Sequence, residues 1–171
     1  MLSEKLTNAL SDQVNAEYYS AYLYLAMSAA ADKMGLKGTA NWLFVQAQEE
    51  TAHGTHMYEY ILERGAVPAF AAIEQPPASF DNVNAIFEKV LSHEQTVTHR
   101  INALATLAMQ ESDHACYQFM MWYVDEQVEE ESGVTEILDK LKLIGENNGM
   151  LLALDNELAA RVFVNPFPAK A

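Results

Sequence analysis

Leu43-Phe44-Val45-Gln46-Ala47-Gln48-Glu49-Glu50-Thr51-Ala52-His53-Gly54-Thr55-His56-Met57 is the stretch that decides how this chain folds. Leu43, Gln46, Glu50, His53, Met57 and then Tyr60 advance in steps of three and four, the spacing of one face of a helix packed against neighbours. A carboxylate and an imidazole therefore stand in a stripe that should be apolar. Burying a carboxylate is costly unless it is paired or binds a metal. The stretch predicts a buried helix that carries ligands.

Three other segments repeat this arrangement. Leu6, Leu10, Gln13, Glu17, Ser20, Tyr24 and Met27 form one stripe, and Phe87, Val90, Glu94, Val97, Ile101, Leu104 and Ala108 form another. Phe119, Tyr123, Gln127, Glu130, Ile137 and Leu141 make a less strict one, with Gly133 in its middle. Glu94 follows Glu17 by the interval that also separates Gln127 from Glu50 and Glu130 from His53, so the polar positions are two copies of one set. Glu17 is the only charged residue between Asp12 and Asp32, and no lysine or arginine lies between Lys5 and Lys33 to pair with it.

The 171 residues suffice for one domain, 1–171, with a substantial core, since half of them are hydrophobic. Only seven glycines and five prolines occur, and the long periodic segments hold few β-branched residues, so the expected class is all-α. The formal charge of −14 argues against nucleic acid or an anionic membrane as partner and for attraction of cations. The single cysteine, Cys116, can form no internal disulfide and reads as a buried core residue. Met1-Leu2-Ser3-Glu4-Lys5 runs into the first periodic segment without an apolar signal core, and no stretch reads as a membrane span, so the expected location is cytoplasmic.

Punctuation places the elements. A first helix should start at the N-cap Ser3 and stop at Gly35, and a second should end at Gly65. Residues 66–81, with Pro68, Pro76 and Pro77, read as an extended connection to a third helix capped by Ser79 or Asp81 and running to about Gln110. Glu111-Ser112-Asp113 should turn into a fourth helix reaching Gly145. A short fifth helix should follow through Leu151, Leu154, Leu158 and Arg161, and Asn165-Pro166-Phe167-Pro168 cannot be helical. Met150, Leu151, Leu154 and Leu158 require that fifth helix to be buried, against its own bundle or at a subunit contact.

Short turns make two antiparallel hairpins, in which residues equidistant from the turn lie side by side. Glu17 and His53 are equidistant from Gly35, and Glu94 and Glu130 from Ser112, so each hairpin brings its lone glutamate level with its paired motif. The connection could span about 50 Å when extended, enough to run the length of the bundle and permit an up, down, down, up order.

Carboxylate oxygen and imidazole nitrogen suit iron, and a carboxylate shared by two ions lets dioxygen draw electrons from both. Glu50 is the natural bridge. Glu50 and His53, at i and i+3, can serve one ion with Glu17, while Glu94 and Glu130 with Glu50 hold a second. Gln127, neutral where the first copy has Glu50, makes that second half weaker or more open.

With a Glu from each of two helices and Glu50-x-x-His53 on a third, the set resembles the ferritin-like di-iron carboxylate bundles. Gln127-x-x-Glu130 in place of a second Glu-x-x-His is similar to the bacterial non-haem ferritins and unlike bacterioferritin, whose haem-ligand methionine is replaced here by Thr51. The resemblance extends across Asn15-Ala16-Glu17-Tyr18-Tyr19-Ser20-Ala21-Tyr22-Leu23-Tyr24, Gln48 to His53 and Trp122-Tyr123-Val124-Asp125-Glu126-Gln127-Val128-Glu129-Glu130. It implies a four-helix bundle with a long crossover and a short fifth helix. By the same resemblance Glu17, Glu50 and His53 form one iron site, Glu50, Glu94 and Glu130 a second, and Glu49, Glu126 and Glu129 a third nearby. Tyr24 matches a tyrosine that can supply an electron.

The implied activity is a ferroxidase that oxidises ferrous iron with dioxygen or hydrogen peroxide and stores ferric oxide inside a shell of twenty-four subunits, without haem. The alternatives are a di-iron oxidase or oxygenase that stores no mineral, which would need an apolar pocket at the iron, and a purely structural bundle. A rubrerythrin-like peroxidase is excluded because its Cys-x-x-Cys module is missing. His56, His93, His99 and His114 match no ligand position in the repeat and read as surface or capping residues.

Overall fold

A computed structural model of the chain describes residues 1–167, and Pro168 of the predicted non-helical tail lies outside them. Five helices follow in order: α1 (Glu4–Lys33), α2 (Lys37–Glu63), α3 (Val83–Gln110), α4 (His114–Ile144) and α5 (Asn148–Leu158). The expected all-α four-helix bundle with a short fifth helix is present. The four long helices start and stop close to the expected boundaries, and α4 continues through Gly133 unbroken.

Pairings across the bundle give the helix directions. Gln13 near the start of α1 meets Arg100, whereas Ser20 and Tyr24 further along meet His93 and Glu94 nearer the start of α3, so α1 and α3 are antiparallel. Gln46 with Glu130 and His53 with Tyr123 show the same antiparallel relation between α2 and α4. With each hairpin antiparallel, α2 and α3 are parallel, and the order is up, down, down, up. The residues between them must travel the bundle's length, and on the way the Ala69 N–H donates to Ser11 Oγ while Phe70 packs on Tyr58.

Four helices cap themselves. Ser3 Oγ accepts from Leu6 N, Asn82 Oδ1 from Ala85 N, Asp113 Oδ1 from Cys116 N, and Asn147 Oδ1 from Gly149 and Met150 N. Asn82, not Ser79 or Asp81, is thus the cap of α3: its extended backbone sets the carboxamide within reach of the first turn, which begins at Val83. In the turn before α2, Gly35 adopts φ 84°, where a side chain would be strained.

The fifth position differs. Leu36 offers α2 no side-chain cap, and Asp155 on α5 supplies it instead. Its carboxylate accepts from Gly38 N at 2.9 Å, Thr39 N at 2.7 Å and Thr39 Oγ1 at 2.8 Å. A Cβ on Gly38 would lie 1.6 Å from the Asp155 carbonyl oxygen, so only glycine allows α5 this close. Leu154 and Leu158 bury against the bundle, Leu151 does so in part, and Met150 stays half exposed. The helix ends at Leu158 rather than at Arg161, because the chain turns there and Arg161 reaches back to Glu49.

The core is divided in two. Leu23, Tyr24, Met27, Leu43, Phe87, Val90, Val134 and Ile137 pack at the end that holds α5. Leu6, Leu10, Met57, Ile61, Ile101, Leu104, Cys116 and Met120 pack at the other. On every long helix the residues between the two clusters are the predicted polar ones. Tyr60 and Phe119, at the margin of their stripes, are half-buried and stack on each other with ring centres 3.7 Å apart.

Candidate metal centre

Between the two apolar clusters lie Glu17, Glu50, His53, Glu94, Gln127 and Glu130, all buried. Glu17, Glu50 and His53 each place one ligand atom so that all three lie within 4.8 Å of one another, an arrangement that can hold a metal ion. Gln127 Nε2 lies 3.2 Å from Glu94 Oε2, and the Tyr24 hydroxyl donates to Glu94 Oε1. Gln46 Nε2 donates to Glu130 Oε2 at 2.8 Å. The hairpin geometry thus brings the four inner glutamates and His53 to one level of the bundle.

Burial governs their charge. Removal from water pushes Glu50 well above the usual carboxylate range, and the neighbouring Glu94, Glu17 and Glu130 push it in the same direction. Burial raises Glu130 to about 8, with Glu94 adding to the rise. Glu94 is raised to about 7 by burial, against the lowering hydrogen bonds from Tyr24 and Gln127. Glu17 is raised by burial too, opposed by its hydrogen bonds and by Arg100. Without a cation these carboxylates share protons; a divalent ion would replace them.

His53 answers the question of fit most directly. Burial lowers it to about 4, so it is the neutral imidazole that a metal requires. Its Nε2 is buried with no hydrogen-bond partner among the described residues. That nitrogen faces Glu126, and the other ring nitrogen, Nδ1, lies 3.8 Å from Glu50 Oε2 on the side of the triad. No lysine or arginine forms a salt bridge with Glu17, Glu50, Glu94 or Glu130 among the described residues, so the ordinary structural explanation for buried carboxylates is missing.

Outside this layer, Glu126 Oε1 lies 4.0 Å from His53 Nε2, and Glu49 pairs with Arg161 at 2.5 Å. Glu49, Glu126, Glu129 and Glu130 line one cavity of about 520 Å³ between α2, α4 and α5. The acidic runs on α2 and α4 are therefore two walls of one concavity rather than unrelated solvated faces.

Several partners escaped the sequence reading. Gln13 donates to Glu17 at 2.8 Å while accepting from Arg100 Nε at 2.9 Å, so a charge on α3 reaches Glu17 through an amide. Gln13 and Gln46 interrupt the apolar stripes as the glutamates do, and that was the available signal. Two histidines are not surface or capping residues: His93 Nε2 lies 2.7 Å from Ser20 Oγ, and His56 contacts the Tyr123 hydroxyl at 3.0 Å and stacks on Phe167. They face neighbouring helices because they adjoin Glu94 and His53 on the inner side of their own helices. His99 and His114 are exposed, as expected.

The model of the ferritin-like domain matches residues 7–144, which span all four long helices and every residue of the buried polar layer. The chain belongs to the ferritin family. It is 42% identical over 163 residues to the bacterial non-heme ferritin of Staphylococcus aureus, covering 95% of this chain and 98% of that protein. A probable bacterial non-heme ferritin-like protein of Haemophilus influenzae is 40% identical over 158 residues, 92% of this chain and 96% of that one. Among solved structures, the open pore ferritin of Archaeoglobus fulgidus superposes with a TM-score of 0.94 at 50% identity, covering 95% of this chain and all of that one. The family match spans the α2–α3 crossover and the parts of all four long helices that carry the buried carboxylates. No described helix of this ferritin is long and apolar enough to cross a membrane.

Proposed function

We propose that this chain is an iron-storage ferroxidase of the bacterial non-haem ferritin type. The observation that carries the reading is the buried Glu17, Glu50 and His53 triad, with ligand atoms within 4.8 Å of one another and His53 Nδ1 3.8 Å from Glu50 Oε2. One ferrous ion takes Glu17, Glu50 and His53, and a second takes Glu50, Glu94 and Glu130. Two ferrous ions lose one electron each, and dioxygen with two protons accepts both electrons to give hydrogen peroxide, itself an oxidant for further ferrous iron.

The chain's own residues supply the rest. Glu50 is placed to bridge, His53 offers a neutral nitrogen, and Gln13, Gln46, Tyr24 and Gln127 hold the carboxylates with neutral donors. The protons held by Glu50, Glu94 and Glu130 leave as cations arrive. Glu49, Glu126 and Glu129 form a third site beside the centre, and one electron from a ferrous ion there and one from Tyr24, which loses its proton as well, reduce the peroxide with one more proton to two waters. Oxidised iron is stored as a ferric oxide mineral in a cytoplasmic shell of twenty-four copies, a placement that the net charge of −14 favours for cation uptake.

The cavity beside the centre supports this over oxidation of an organic substrate. Its lining carries Glu49, Glu126, Glu129, Glu130, Glu136 and Glu157 against two cations, Lys140 and Arg161, beside Trp42, Ile137 and Leu158, an excess of negative charge that favours cations. The test mixes anaerobic apoprotein with two ferrous ions per chain and then air. Fast oxygen uptake with a ferric absorbance is expected, and it should vanish in Glu50→Ala with His53→Ala. Full-speed oxidation in that double variant would overturn the assignment; particles no larger than dimers in light scattering would remove the storage role.

A further inference from the structure

The acidic cavity already holds a cation that belongs to the chain. Arg161 Nη2 lies 2.5 Å from Glu49 Oε2, and its Cζ stacks 4.6 Å above the Trp42 ring. Its Nη1 is buried with no hydrogen-bond partner among the described residues. Lys140, the other cation on the wall, is committed to Glu136 at 2.9 Å and Glu157 at 2.7 Å. Glu126 and Glu129 form no salt bridge with lysine or arginine among the described residues, and the unpartnered Nε2 of buried His53 lies 4.0 Å from Glu126 Oε1.

Arg161 also anchors the segment that follows α5. Asn41 Nδ2 donates to the carbonyl oxygens of Ala159 at 3.3 Å and Arg161 at 2.9 Å. Further on, Phe167 stacks on His56 with ring centres 3.7 Å apart and meets Trp122 at 4.5 Å and His53 at 6.1 Å. The segment therefore runs from the acidic cavity to the outer side of the metal-ligand histidine.

We propose that Arg161 is a built-in counter-cation of the Glu49, Glu126 and Glu129 cavity, which a metal ion must displace, so that metal binding there and docking of residues 159–167 oppose each other. This rests on the third site proposed above. A guanidinium does not lose its charge near neutral pH, so it cannot yield to a metal by deprotonation as a lysine can; it has to move. A metal bound by Glu49 would share that carboxylate with Arg161 Nη2, which pairs with its Oε2, and two cations on one carboxylate repel. The coupling is reciprocal: whatever factor Arg161 takes from metal affinity, the metal takes from docking of the segment. Metal entering the cavity would thus loosen the docked segment, and loss of the metal would let Arg161 pair with Glu49 again.

Terbium(III) tests this, because it is redox-inert, takes carboxylate oxygen and reports its binding by luminescence sensitised by Trp42 and Trp122. In the full-length apoprotein, Arg161→Ala should tighten one terbium step by about tenfold or more. Adding Glu126→Ala and Glu129→Ala should remove the tightened step. In the unsubstituted protein, saturating terbium should speed backbone hydrogen exchange in residues 162–167. Unchanged affinity in Arg161→Ala, or unchanged exchange at saturation, overturns the counter-cation. If affinity is unchanged by Arg161→Ala yet falls in Glu126→Ala with Glu129→Ala, the third site stands and only the role of Arg161 fails. If the tightened step survives loss of both glutamates, the third site fails with it.

Discussion

Gln127 holds Glu94 across the α3–α4 interface, with its Nε2 3.2 Å from both the backbone oxygen and Oε2 of Glu94. The same Nε2 is 3.2 Å from Thr98 Oγ1. In the first copy of the repeat this position is Glu50, an ionisable carboxyl; Gln127 instead donates, and so restrains the Glu94 carboxylate without adding another.

Replacing it should therefore exchange apoprotein stability for metal affinity. Gln127→Glu removes the donor and sets a further carboxylate beside Glu94, so the apoprotein should lose about 1–3 kcal/mol. Zinc titration should find two separable steps in the unsubstituted protein and a tighter second step in the variant. Two indistinguishable steps in the unsubstituted protein would remove this role for Gln127.

The buried carboxylates make apoprotein stability depend on pH. Glu94 and Glu130 rise from the ordinary 4.5 to about 7 and about 8, so at these carboxyls the folded apoprotein binds more protons than the unfolded chain, whereas His53 and His93, lowered to about 4 by burial, act oppositely below about 6.5. Their stabilisation is complete below about 4.5 and is lost as pH climbs through those raised values. Thermal unfolding of metal-free protein should show Tm falling across that window. Added zinc should restore Tm at the upper end and release protons measurable in weak buffer; a Tm that rises across the window would contradict the raised carboxylates.

Tyr24 separates positioning from electron supply. Its hydroxyl donates to Glu94 and lowers that carboxyl against the effect of burial, so Tyr24→Phe should raise Glu94 further. The variant should fold normally, since the ring stays in the core. If Tyr24 delivers an electron, a transient tyrosyl radical should follow aeration of the ferrous protein and be absent from Tyr24→Phe. Slower oxidation with no radical in either protein would leave Tyr24 only as a donor to Glu94.

The link between α5 and α2 predicts a local loss of stability. Asp155→Ala should cost about 1–3 kcal/mol, because two backbone donors and a hydroxyl lose their acceptor at a buried helix start. Gly38→Ala should detach α5 outright through its clash with the Asp155 carbonyl. Truncation after Gly145 should weaken any shell, while α1 to α4 still fold and bind metal at Glu17, Glu50, His53, Glu94 and Glu130. Hydrogen exchange at the start of α2 reads the first two effects, and sedimentation reads the third.

The sequence alone determined the helices and the buried polar layer, because both are periodic. A stripe repeating every three or four residues specifies which face is buried, and a glutamate within it shows itself as an interruption. Equidistance from Gly35 and Ser112 then placed Glu17 beside His53 and Glu94 level with Glu130, since antiparallel hairpins with short turns leave little freedom of register. Asn82 was missed as the α3 cap because Ser79, Asp81 and Asn82 are all competent, and only the point at which Ile86 and Phe87 enter the core selects among them.

Only the tertiary structure decided what holds the carboxylates and what covers them. Arg100 acts on Glu17 through Gln13 from another helix, Asp155 caps a helix far earlier in the chain, and Arg161 returns from α5 to Glu49. None of these follows a period. Each depends on where a chain comes back in space after a turn or a helix end, and one donor or acceptor at such a point leaves no pattern among its sequence neighbours. Burial of apolar stripes acts along whole helices and can be read residue by residue, whereas a single long-range hydrogen bond is selected only after packing has brought its two ends together.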